Sequence, residues 1–167
     1  MSKSSKSQIT KIGKKVADSQ AVMNELVLPN DANLSGNVLG GRVMHLTDLC
    51  AGMAAMRHAR GLVATAAVDN LSFHHPIKVG ELMILKASVN YTDRTSMELG
   101  VRVEAENPQT GERRHTSSAY LTFVALDKDG RPTPVQPVIP ETSEEKRRYA
   151  AAKERRRERL ARRAGKK

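Results

Sequence analysis

A chain of 167 residues, 39% hydrophobic and 28% charged, has room for one packed domain and too little for two. The formal charge of +10 lies at the ends: residues 1–20 hold five Lys against one Asp, residues 141–167 hold twelve Lys or Arg against five Glu, and the middle is nearly neutral. Aromatic residues at 3% with no Trp argue against stacking surfaces for bases or sugars, and a single cysteine excludes an intramolecular disulfide framework or a cysteine-rich zinc module.

No run of 18 apolar residues exists, so no membrane-spanning helix is expected. The first seven residues, Met-Ser-Lys-Ser-Ser-Lys-Ser, lack the apolar stretch of a secretory signal, which makes a cytoplasmic protein the expectation. Residues 1–20, rich in Ser and Lys, read as a basic, disordered tail. Ala21 to Leu28 is a short extended segment, closed by Pro29-Asn30-Asp31.

A glycine-rich approach, Ser35 to Gly41, leads into a helix predicted from Gly40 to about Ala59. Val43, Thr47, Cys50, Ala51, Ala54 and His58 share one face at three- and four-residue steps, and Gly61 is placed to end the helix. The period then becomes strand-like. Leu62–Phe73 is broken by His74-His75-Pro76, and Glu81–Thr92 follows the Val79-Gly80 turn. From Met97 to Glu106 apolar and polar residues alternate strictly, as in a strand with one face in solvent. Arg114–Leu126 returns after the Asn107–Gly111 loop. The pattern predicts one α+β domain over 21–140, a single helix covering a curved antiparallel sheet. Pro132–Pro140 then leads into 141–167. This tail is basic all round and poor in apolar residues, so an extended or solvent-exposed helix is expected, with a polyanion as its candidate partner.

The first candidate for chemistry is Asp48, two turns inside the predicted helix. Its neighbours at helical spacing, Gly41, Met44, His45, Ala51, Gly52 and Ala55, are mostly small or apolar. A carboxylate there is costly to bury unless it is hydrogen-bonded or used; the plain alternative is a solvent-facing Asp between apolar stripes. Gly40-Gly41 would present free N–H groups at a helix N-terminus, suited to an oxyanion or a phosphate, although a tight loop entry explains the pair equally well. Asn33, in the preceding loop, offers an amide to a water or a carbonyl, or simply caps a turn. His74-His75 cannot both face one metal, and no other ligand spacing supports a metal site. Phosphate-loop, dinucleotide and serine-elbow motifs are absent. Cys50 reads as a buried structural thiol.

The string Asn33-x-x-Gly36-x-x-x-Gly40-Gly41-x-x-Met44-x-x-x-Asp48 is more specific than its parts. With Leu28-Pro29, with Val68 to Glu81, with Thr95-Ser96-Met97 and with Tyr120 to Asp127, it resembles the hotdog-fold acyl-CoA thioesterases of the YciA and cytosolic acyl-CoA hydrolase type. The resemblance runs from about residue 21 to 138 and leaves both tails outside. It implies a long antiparallel sheet wrapped around one central helix, and a homo-oligomer built from edge-to-edge dimers, a tetramer or hexamer. It also implies hydrolysis of acyl-CoA at sites between protomers. Asp48 from one protomer would be the general base or the nucleophile, Asn33 from the other would orient the water or the thioester, and a Gly40 or Gly41 N–H would hold the oxyanion. Arg94, Thr95, Ser96 and His74 are assigned to the CoA moiety. CoA is part of the substrate, and no further cofactor is implied. Leu39 departs from the Phe or His more usual there, and the basic C-terminal tail is outside the family pattern. The alternatives are a hotdog domain that binds acyl-CoA without turning it over, and a nucleic-acid-associated protein held by its basic tails.

Overall fold

A computed structural model describes residues 12–164. In chain order they form β1 (Lys14–Lys15), β2 (Ala21–Leu26), α1 (Gly40–Ala59), β3 (Leu62–Phe73), β4 (Leu82–Thr92), β5 (Ser96–Glu106), β6 (Arg113–Leu126), β7 (Val138–Ile139) and α2 (Ser143–Ala164). Strands β2 to β6 make one antiparallel sheet in the order β2-β4-β5-β6-β3, which leaves β3 on an edge.

Helix α1 lies across the inner face of this sheet. Cys50, Ala51, Ala54 and Ala55 are fully buried in one core with Leu85, Val89, Leu99 and Val103 of the sheet, and the Cys50 thiol reaches Leu85 O at 3.6 Å. All six residues expected on the buried face are buried, joined by Leu46 and Ala55. Burial pushes the Cys50 thiol up to about 11, as suits a structural cysteine. The helix ends at Ala59 as expected, but the left-handed turn falls on Arg60 rather than on Gly61. Arg60 takes the left-handed conformation (φ 53°), and its N–H donates to Met56 O at 2.8 Å.

The tails differ from their sequence reading. The disorder expected of residues 1–11 lies outside the described residues, but residues 12–20 are folded onto the domain. β1 pairs in parallel with β7, and Val16 and Ser19 are buried. The Lys14 ammonium donates to Arg57 O and His58 O, both at 2.8 Å, placing a cation on the negative end of the α1 dipole. His58 is buried beneath this segment. Its Nε2 donates to Gln136 O at 2.9 Å, and Nδ1 accepts from Ser19 Oγ at 3.2 Å. Burial, with Lys14 nearby, holds the imidazole below its ordinary value of 6.5. The folded state therefore resists protonation that the unfolded chain accepts. Stability should be full above about pH 6.5 and fall as pH drops below it, and His58→Asn should flatten that slope in urea unfolding between pH 7 and 5.

The C-terminal tail is a helix, as one of the expected forms, but it is not free in solvent. α2 lies on the outer face of the sheet, and Ala152 is fully buried. Tyr149 meets Tyr91 with ring centroids 5.1 Å apart. Arg155 reaches Glu98 through two hydrogen bonds, 2.6 and 3.2 Å, with its guanidinium 3.8 Å from the centre of the Tyr120 ring. Glu98 is consequently buried, the one break in the alternation of β5, whose outer face is otherwise partly open, with Arg102 exposed. Asn90 adds a 3.4 Å bond to Glu98, and its amide packs over Gly100, where a Cβ would come within 2.6 Å. Arg156 pairs with Asp93 and Arg159 with Asp69. Three of the cations expected to serve a polyanion are thus turned onto the domain itself.

Candidate active site

The loop before α1 is built around Asn33. Its Oδ1 accepts the N–H groups of Ser35 (2.9 Å) and Asn37 (3.2 Å), which fixes the carbonyl end and leaves the amide NH₂ free to donate. Gly36 turns the chain with φ 74°, and the loop is then stitched to the segment after β3: Val38 N–H donates to Ile77 O at 2.7 Å and Val79 N–H to Gly36 O at 3.1 Å. That segment is held in turn by Glu81, which accepts from both Arg114 guanidinium nitrogens at 2.6 and 2.7 Å and from Lys78 N–H at 2.8 Å. The Arg114 pairing holds the Glu81 carboxyl below the usual range. The phrase from Phe73 to Glu81 is thus a clamp that sets the approach to the helix N-terminus.

α1 starts at Gly40 without a side-chain cap on Leu39, so its first N–H groups remain available. A Cβ on Gly41 would meet nothing within 4 Å, and one on Gly40 only the Phe73 ring at 3.5 Å. The glycines keep the space beside these donors open. Two turns on, Asp48 is half-buried, and its Oδ1 accepts a 2.7 Å hydrogen bond from Thr65 Oγ1 of β3. One carboxylate oxygen is fixed, and the other is left to act.

These groups fall into two cavities of one protomer. Asp48, Gly41 and Thr65 line one of about 390 Å³, with Met44, Val68, Leu71 and Leu121 as its apolar wall. Asn33, Gly40 and His74 line another of about 360 Å³, with Phe73, Ile77 and Ser117. Among the described residues, Asn33 and Asp48 therefore line different cavities. Arg94 and Thr95 lie in the β4–β5 turn, and Ser96 opens β5. Ser96 pairs with Val124, beside the Leu62 end of β3, whereas Asn33 and His74 sit at the Phe73 end, so the chain does not bring the two sets together. The His74 ring packs against His115, centroids 5.1 Å apart. Thr65 is the Asp48 partner that sequence reasoning missed. Nothing in Ala64-Thr65-Ala66 distinguishes it, and only the packing of β3 on α1 reveals it.

A central helix wrapped by a five-stranded antiparallel sheet is the hotdog fold. The profile of the Thioesterase superfamily matches residues 35–112. Protein VdlD of Helicobacter pylori is 39% identical over 131 residues, covering 78% of this chain and 75% of that one. The cytosolic acyl coenzyme A thioester hydrolase of Rattus norvegicus is 37% identical over 152 residues, 90% of this chain; the chain spans 40% of that relative's length. Among solved structures, the acyl-CoA hydrolase of Staphylococcus aureus, in complex with butyryl coenzyme A and coenzyme A, superposes with a TM-score of 0.86 at 36% identity, over 92% of this chain and 93% of that one. An apo-hexameric acyl-CoA thioesterase gives 0.87 at 42%, over 90% and 98%. The chain belongs to the thioesterase superfamily. The S. aureus hydrolase has also been solved with one Asp, one Thr or one Asn replaced by Ala.

Proposed function

We propose that this protein hydrolyses acyl-CoA to a free carboxylic acid and CoA, with Asp48 as its central group. The observation that carries the reading is the Asp48–Thr65 hydrogen bond on the wall of a largely apolar cavity. The relatives support it: in the S. aureus hydrolase the replaced Asn, Asp and Thr are separated by 15 and 17 residues, the two spacings that separate Asn33, Asp48 and Thr65.

The chemistry follows from the geometry. Thr65 holds one Asp48 oxygen, so the free oxygen either takes a proton from an attacking water or attacks the thioester carbonyl itself. The carbonyl oxygen gains charge as the tetrahedral intermediate forms, and an N–H at the start of α1, on the positive end of the helix dipole, stabilises it. Collapse expels the CoA thiolate, which on the base route takes the proton that Asp48 removed from water; where Asp48 attacks directly, water then opens the acyl-aspartyl anhydride to give the acid. The Asn33 amide is a donor with its carbonyl end already occupied, suited to orient the water or the thioester.

Because Asn33 and Asp48 line separate cavities in one chain, the site is completed between two protomers, each giving one of the pair. The long edge strand β3, with Val68 and Leu62 exposed, is the surface for such a dimer, and the hexameric relative supports a higher assembly of dimers. A cytoplasmic location is supported by the cytosolic relative; no described helix is long and apolar enough to cross a membrane.

The test is thiol release across acyl-CoAs of two to eighteen carbons. Turnover with at least one chain length is expected. Saturable binding of acyl-CoA with no thiol release at any length would instead identify a non-catalytic binding domain.

A further inference from the structure

Strand β3 carries two one-residue bulges. Opposite β6, Thr65 pairs with Phe123, Val68 with Leu121 and Leu71 with Ala119, while Ala66 and Asp69 have no partner. Each bulge shifts the pleat by one residue. Thr65, Val68 and Leu71 therefore all reach the wall of the Asp48 cavity. Unbroken alternation from Thr65 would turn Asp69 into that apolar space. Instead Asp69 lies on the outer face, where its Oδ2 accepts from Thr122 Oγ1 at 2.7 Å and from Arg159 Nη1 of α2 at 2.8 Å. Both side chains are largely covered, 20% exposed for Arg159 and 15% for Asp69.

We propose that Arg159 is a positioning residue for hydrolysis: by holding Asp69 outward it fixes the bulged phase of β3 that aims Thr65 at Asp48. The inference rests on the hydrolase reading above and adds α2 to the machinery. The bulge leaves Asp69 without a partner on β6, so its side-chain bonds set its direction, and a neutral hydroxyl from Thr122 is a weaker restraint than a charged one; an ion-assisted hydrogen bond is roughly twice as strong. Arg159 supplies the charged restraint. The basic tail thus acts on the active site from the opposite face of the sheet.

The test is a double-mutant cycle in the full chain. Arg159→Ala should lower kcat about tenfold with KM changed by less than about twofold, since a small displacement of a positioned group costs rate more than binding. Arg159→Lys should recover part of the loss. In a Thr65→Ala background, the same Arg159→Ala change should have little further effect. An equal tenfold loss in both backgrounds, or none in either, overturns the proposal. Should Arg159→Ala fail to fold, Asp69→Asn takes its place in the cycle. Amide exchange reads the restraint without activity: Arg159→Ala should speed exchange in residues 64–70 selectively. If the wild-type chain releases no thiol, the hydrolase reading fails. Unchanged exchange in β3 refutes the restraint itself.

Discussion

Asp48→Asn should lower kcat by about 10²–10⁴-fold while the protein melts and assembles as wild type. The substitution keeps the size of the side chain and leaves a carbonyl oxygen for Thr65 Oγ1 to donate to, so the 2.7 Å bond between α1 and β3 survives. What is lost is the charge on the free oxygen, and with it either the base or the nucleophile. Because Asp48 is only half-buried, the change carries no large penalty in stability. A well-folded Asp48→Asn enzyme with near-wild-type turnover would remove Asp48 from the chemistry.

The second large effect is on stability and lies far from Asp48. Arg155→Ala should destabilise the protein by about 3 kcal/mol, because it strands the Glu98 carboxylate, 2% exposed, with only the 3.4 Å bond from Asn90. In a domain of this size that corresponds to a melting temperature lower by about 10 °C. Adding Glu98→Gln removes the stranded charge and should restore most of the loss, since the penalty belongs to the unpaired ion more than to the missing contact. Thermal melts of the two variants decide it. Arg155→Ala melting within a degree or two of wild type would mean that α2 does not rest on Glu98.

The central elements were legible because local signals agree. The glycine approach, the buried face from Val43 to His58 and the breaks at His74-His75-Pro76 and Asn107–Gly111 place α1 and β3 to β6 within a residue or two of where they occur. The tails were not legible, because their docking uses few apolar residues. Ala152 and Tyr149 are the apolar part of the α2 contact, and the rest is Arg155, Arg156 and Arg159 meeting Glu98, Asp93 and Asp69, pairs far apart in sequence. The same long-range pairing hid the burial of Glu98, which alternation alone assigns to solvent. Of the candidate site, Asp48, Gly40 and Gly41 were readable from helix phase and entry. Thr65 was not, because a bulged strand erases the period that would have placed it inward. Arg94, Thr95 and Ser96 rested on family likeness alone, and the β4–β5 turn sits at the other end of the sheet from His74.

The claim that each site is shared between two protomers is tested most directly by mixing two inactive proteins. Asn33→Ala and Asp48→Ala chains each lack one half of every site when assembled alone. After subunit exchange at equal amounts, half of the dimers are mixed, and each mixed dimer regains one intact site of its two. Thiol-release activity should therefore rise to about a quarter of wild type under closed two-fold pairing. Activity that stays at the level of the separate variants, with exchange demonstrated by a tagged subunit, would place Asn33 and Asp48 in one chain's site and contradict the account.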